Sequence, residues 1–288
     1  MVWPGRSFEL EPLGGGITNH NFKVEFDDGE TVVVRAPGKD TDLLAIDRRV
    51  ESAAARMAAS IGVGPEVVAF VAECLITRFV EGSPIPPEEM RRPENLARAA
   101  AALRTIHEAP LIPGRFDSFR VVEDYAATAA EHGVDPPPDY EWAKGVADRI
   151  EETRGPQPLV PGHNDLLNAN FIDAGDRIVI VDWEYAGMSD RFFDLANFSV
   201  NHELTVEQDR EVLQEYTGAE ATADDLASVR LMRFMSDFRE AMWAVVQQGI
   251  SELDVDFVEY ADRHFARLRA TAEEPQFEDW LAVVAAGP

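Results

Sequence analysis

The chain is short of cysteine, of lysine and of long apolar runs. Its one cysteine, Cys74, rules out an internal disulfide, and its apolar setting in FVAECLITRF predicts a small buried hydrophobe. No window approaches the roughly 18 uninterrupted apolar residues of a membrane-spanning helix. The opening MVWPGRSFELEP lacks the basic-then-apolar plan of a signal peptide, so a soluble, cytoplasmic protein without membrane insertion is expected. Cationic side chains are few: 3 Lys and 23 Arg stand against 53 Asp and Glu, for a net charge of -27. Such a surplus repels phosphate backbones and anionic lipid, which excludes nonspecific nucleic-acid binding. A surface adapted to high salt or a biased genome accounts for the excess, with attraction of a cationic small substrate as a by-product. Internal repeats and low-complexity tracts are also missing.

What is present is enough for a full-sized core: 288 residues, 45% of them apolar. Residues 8–36 alternate turns with β-rich runs, and DDG before ETVVVR signals a hairpin, so an antiparallel sheet is expected. A helix is predicted over 46–61, ending at Gly62, and EVVAFVAECLITRFVEG reads as two more strands. A Pro-rich break, EGSPIPPEEMRRPEN, then leads into ENLARAAAALRTIHEA, DYEWAKGVADRIEETR, a long helix from ADDLASV to VVQQGI, and VDFVEYADRHFARLRATA. Within this helical half, NANFIDAGDRIVIVDW reads as two short strands around DAGD. The expected organisation is a β-rich nucleotide-binding lobe over 1–82, hinge included, and a mainly helical lobe over 83–288 with the catalytic loop and an acceptor site, leaving a cleft between them.

The chemistry concentrates in PGHNDLLNANF and RIVIVDWEY. Phosphoryl transfer needs a carboxylate to position or deprotonate the attacking hydroxyl and hard oxygen ligands for Mg²⁺. His163, Asp165, Leu166 and Asn170 fit the protein-kinase pattern H-x-D-L-x-x-x-N, and Asp182 stands at the end of a β-branched run where the later metal-binding aspartate belongs. Trp183 and Glu184 replace the Phe-Gly that would follow in protein kinases, which points to small-molecule kinases of the same design. Asp165 is assigned as the base, His163 as the catalytic-loop residue that braces it, and Asn170 and Asp182 as Mg²⁺ ligands; Glu184 either reaches the metal region or faces water. LGGGITNHNFKV offers Gly14, Gly15, Gly16, Thr18 and Asn19 as a turn whose backbone can approach phosphates. Arg35 stands where protein kinases place their phosphate-pairing lysine, with Glu51 on the following helix as its ion-pair partner. Arg78, Phe79 and Val80 fall in the segment expected as the adenine-binding hinge.

These motifs resemble the choline/ethanolamine kinase branch of the aminoglycoside phosphotransferase-like family over nearly the whole chain. HNDLLNANF and IVDWEYAGMSDRFFDLANFSVN are similar to that branch's catalytic loop, metal-binding segment and following helix. The resemblance implies an α+β, two-lobed protein-kinase-like fold, ATP and Mg²⁺ as cofactors, and choline or ethanolamine as acceptor, with Asp194 as a structural carboxylate. FREAMWAVVQQGISELDVDFVEYADRHF resembles the helix pair that supplies part of an aromatic cage. Matched along it, Trp243 takes a cage tryptophan position and Phe257 that of a cage tyrosine. Glu240 falls where a second tryptophan is often found, and Asn201 where a carboxylate is found. Read without the resemblance, Trp243 is a core residue on an amphipathic helix. Asp165, Glu184, Asn201, Glu240, Trp243 and Phe257 are the expected acceptor-site residues. Alternatives are a kinase for another hydroxylated amine, such as an aminoglycoside or thiamine, and a catalytically silent nucleotide-binding protein. A metal hydrolase built on His163, Asp165 and His202 fails on spacing. The oligomeric state is left open.

Overall fold

β-branched and aromatic residues alternate through the first third of the chain and form a five-stranded antiparallel sheet: β1 Phe8–Leu13, β2 Asn19–Phe26, β3 Thr31–Pro37, β4 Val67–Val71 and β5 Cys74–Arg78, in the order β1-β2-β3-β5-β4. The computed structural model describes residues 3, 5–14 and 19–287. The predicted β2/β3 hairpin is present, with Gly29 in the left-handed region at φ 86°. Val24, Phe26, Val32 and Ile76 make a small core on one face of the sheet. α1, Arg48–Ser60, carries Ala54, Ala55, Met57 and Ala58 into the main core, and its start is fixed by Asp47, whose carboxylate accepts from the backbone N–H groups of Arg49 and Val50. Cys74 departs from expectation. The β4/β5 hairpin closes at Val71 and Cys74 through Ala72 and Glu73, both at positive φ, so the thiol sits beside a surface turn and is half-buried.

The remainder is mainly helical: β6 Ser83–Pro84, α2 Pro87–Met90, α3 Pro93–His107, α4 Ser118–Glu131, α5 Asp139–Arg154, β7 Leu159–Gly162, β8 Phe171–Asp173, β9 Ile178–Ile180, β10 Gly187–Asp190, α6 Arg191–Asn201, α7 Val206–Thr217, α8 Ala223–Ile250, α9 Phe257–Ala272 and α10 Phe277–Ala286. β8 and β9 are the two strands expected around DAGD. β6 adds to their edge, and β7 pairs with β10. α8 is the axle of this part. Its 28 residues, capped by Thr222 and Asp225, run about 42 Å and are buried almost continuously from Ala227 to Gln247 beneath α4, α6, α9 and α10. Among the contacts that hold the sheet half to the helical half, the Ile180 N–H donates to the Val63 carbonyl at 2.7 Å, Tyr125 Oη to the Leu44 carbonyl at 3.2 Å, and Lys39 Nζ reaches Glu252 at 2.6 Å.

Candidate active site

The loop between β7 and β8 carries His163, Asn164 and Asp165 and is held from below by α6. Asp194, fully buried, accepts the N–H of His163 at 2.8 Å and of Asn164 at 2.6 Å, and meets His107 Nε2 at 3.1 Å. Burial would raise this carboxyl, but the His107 hydrogen bond and charge hold it below the usual carboxylate range. One turn later Asn197 takes the Leu166 N–H at 2.5 Å and donates to Ser236 of α8 at 2.9 Å. Asn164 adopts a left-handed conformation, φ 66°, and its amide donates to the Tyr185 carbonyl at 3.0 Å. His163 is fully buried. Nε2 bonds the Val181 carbonyl at 3.0 Å, Nδ1 accepts the Asp165 N–H at 3.2 Å, and the ring meets Trp183 edge-on. Both nitrogens are committed and burial lowers its pKa, so the imidazole is a neutral brace.

Asp165 lies 3.4 Å from Arg239 Nη1, and its backbone carbonyl accepts from Asn170 Nδ2 at 2.8 Å. Burial pushes its carboxyl up to about 8; Arg239 opposes the shift, while Glu240, Asp182 and Glu184 add to it. Asp182 follows β9 at φ 70° and pairs with Arg35 at 2.5 Å. Arg35 also meets Glu51 at 3.1 Å, the ion pair expected from the sequence, and Arg48 links Glu51 at 2.8 Å to Glu184 at 3.3 Å. The carboxylates around Arg35 more than offset its burial and raise its pKa. Asn19 donates to Glu184 at 2.7 Å. Glu184 therefore faces inward, away from bulk water; burial and the neighbouring Asp182 push it up to about 7 against Arg35, Asn19 and Arg48.

A cavity of about 390 Å³ between sheet and helical half is lined by Gly14, Arg35, Glu51, Arg78, Phe79, Val80, Asn170 and Asp182, all singled out in the sequence. Gly15, Gly16 and Thr18 lie outside the described residues. A second cavity, of about 970 Å³, opens on Glu184 and Tyr185 and is walled by Asp47, Asp117, Asp124 and Glu151 with Arg115 and Arg120.

Among the residues expected at the acceptor, Trp243 Nε1 donates to Tyr185 Oη at 3.0 Å, and its ring packs on Phe257 at 5.8 Å and Tyr260 at 5.7 Å. Tyr260 Oη donates to Glu240 Oε2 at 3.1 Å. Glu240, Trp243 and Phe257 thus converge, whereas Asn201, at the end of α6, has no hydrogen bond to any of them among the described residues; none of the four lines either cavity. Sequence reasoning missed Tyr185, Arg239 and Tyr260. Arg239, 1% exposed, places its guanidinium 4.3 Å from the centre of the Tyr185 ring, pairs with Glu240 and donates to the Asn164 carbonyl at 3.2 Å. Tyr260 lies three residues after Phe257, a spacing that signals one helix face; Arg239 left no such cue.

A β-rich lobe, a cleft and a helical lobe with this catalytic loop define a protein-kinase-like phosphotransferase fold. The family model for choline/ethanolamine kinases matches residues 10–221, and the chain belongs to that family, which makes it a small-molecule kinase. The crystal structure of a choline/ethanolamine kinase family protein from Mesorhizobium loti is 35% identical with a TM-score of 0.85, over 99% of this chain and 95% of that one. Ethanolamine kinase 2 of Mus musculus is 27% identical over 90% of this chain and 75% of its own length. Choline kinase LicA from Streptococcus pneumoniae, 22% identical, shares the fold at a TM-score of 0.75 over 90% of this chain and 94% of that one, and LicA has also been solved in complex with AMP.

Proposed function

We propose that this kinase transfers the terminal phosphoryl group of ATP to the hydroxyl of a small amino alcohol, choline or ethanolamine. One observation carries the assignment: Asn170 is bonded to the backbone of Asp165 and lines the same cavity as Asp182 and Arg35, so a base, two oxygen ligands and a phosphate-binding cation share one corner of the interlobe cleft. Residues 1–82 serve as the nucleotide lobe, with adenine against Arg78, Phe79 and Val80, and residues 83–288 as the catalytic and acceptor lobe. Asp165 orients the acceptor hydroxyl and takes its proton. A carboxyl raised above its usual range is a stronger base, with a pKa nearer the neutral pH at which proton transfer is best matched.

The donor set fits magnesium. Asn170 Oδ1 and Asp182 Oδ2 make no hydrogen bond among the described residues, and both are the hard oxygens that ion prefers. Held by Asn170 and Asp182, it would neutralise charge on the transferring phosphoryl group. Arg35, braced by Glu51, supplies a fixed cation on the same side. Asp165→Asn should lower kcat by about 10³-fold with ATP affinity unchanged, measured by coupled ADP release and by nucleotide titration. An Asp165→Asn enzyme of normal turnover would refute the assignment. The acidic cavity of about 970 Å³ beside Glu184 favours a second reading, a larger polycationic acceptor such as an aminoglycoside. A panel of choline, ethanolamine, thiamine and aminoglycosides in the same assay decides between them.

A further inference from the structure

A buried arginine in mid-helix costs several kcal/mol unless it is fully paired, so Arg239 calls for a reason. Its surroundings are those a cationic substrate head would seek: the face of Tyr185 at 4.3 Å, the carboxylate of Asp165 at 3.4 Å, the Glu240 carboxylate and the Asn164 carbonyl at 3.2 Å. The chain has placed its own cation beside the proposed base.

The other rings nearby are also engaged. Trp243 is packed by Phe257 and Tyr260, and Tyr260 is stacked on His264 at 4.7 Å, with Arg263 over it at 5.2 Å. A quaternary ammonium has no N–H to donate and depends on open aromatic faces, each worth about 0.5–2 kcal/mol. A primary ammonium needs no such face: it donates three hydrogen bonds to carboxylate or hydroxyl oxygens. Those oxygens are here. Glu240 accepts from Tyr260 and Arg239 and retains lone pairs, and Glu184 Oε1 has no partner among the described residues.

Resting on the amino-alcohol reading above, we propose that Arg239 is a specificity-determining residue: by holding the Tyr185 face and the Asp165 carboxylate, it excludes quaternary heads and selects acceptors with a primary ammonium.

The test is kcat/KM for ethanolamine and for choline in the wild-type protein, Arg239→Met and Arg239→Lys. The wild type should favour ethanolamine by about 100-fold. Arg239→Met should narrow that ratio by about 10-fold or more, chiefly through a lower KM for choline, with Arg239→Lys between the two. Should Arg239→Met fail to fold because Glu240 is stranded, Arg239→Gln keeps a donor for Glu240 without the guanidinium and reads the same ratio. A ratio that stays constant while both activities fall together means a purely structural role and overturns the proposal. Turnover with a wild-type preference for choline overturns the proposal alone, and turnover of neither alcohol overturns the amino-alcohol reading with it.

Discussion

At the scale of single residues, His202 shows what burial without a full set of partners does. Its ring lies against Phe198 and Phe171, Nδ1 donates to the Phe198 carbonyl at 2.8 Å, and Nε2 has no partner among the described residues. Burial lowers its pKa to about 4, against about 6.5 in an unfolded chain. Between those values the unfolded state binds the extra proton, so stability is complete above pH 6.5 and falls as pH drops toward 4, by about 2 kcal/mol at pH 5. Urea titrations at pH 7 and pH 5 should find the wild type losing about 2 kcal/mol relative to His202→Asn, which keeps a donor near Nδ1; the difference between the two proteins isolates this group, because the raised carboxyls of Asp165 and Glu184 shift both alike in the opposite direction. The same scale decides what could be read from sequence. Asp165, Asn170 and Asp182 were legible because one loop and one hairpin fix their separations, so spacing along the chain is spacing in space. Arg239 and Tyr185 were not, because their meeting depends on where α8 crosses the catalytic loop, and nothing local records that crossing.

At the scale of elements, α6 acts as a clamp. Its Asp194 and Asn197 take three of four successive backbone donors of the catalytic loop, those of His163, Asn164 and Leu166, with only the Asp165 N–H going to His163 instead. Asp194→Ala leaves two of these N–H groups and His107 unsatisfied in a buried setting. It should cost about 3–5 kcal/mol in chemical denaturation and lower kcat more than it raises nucleotide KM, since the cavity residues of the sheet lobe are untouched. Equal stability of this variant and the wild type would show that the loop holds itself. Five of the long helices were legible in the sequence, α1, α3, α5, α8 and α9, the first of them from apolar residues at helical spacing that stop at Gly62. α4 and α7 were not called out although both open with readable caps, Asp117 and the Thr205/Gln208 capping box. α10 begins without a side-chain cap, so its start had no chemical marker. The β7/β10 pair joins strands 24 residues apart that are four residues long each, too short for alternation to declare itself.

At the scale of the molecule, a net charge of -27 means self-repulsion in the folded state. Screening should relieve it. The thermal midpoint followed by circular dichroism should rise by roughly 4–8 °C between about 0.05 and 1 M KCl, equivalent to about 2 kcal/mol for a chain of this size. A midpoint that falls with salt would mean that the many surface ion pairs, such as Arg149 with Glu278, outweigh the repulsion. The two-lobed plan itself was legible from the shift at the Pro-rich break, because strand and helix periodicities differ so plainly on either side. Finally, α8 bears both the weight of the core and the side chains proposed to meet the acceptor: Arg239, Glu240 and Trp243 sit midway along a helix buried beneath four others. On that proposal, substrate preference in this protein is heritable only together with its interior. A lineage moving to a new acceptor cannot do so by varying a surface loop; it must change α8 and its neighbours in compensating steps, and the old preference should persist long after selection for it has ended.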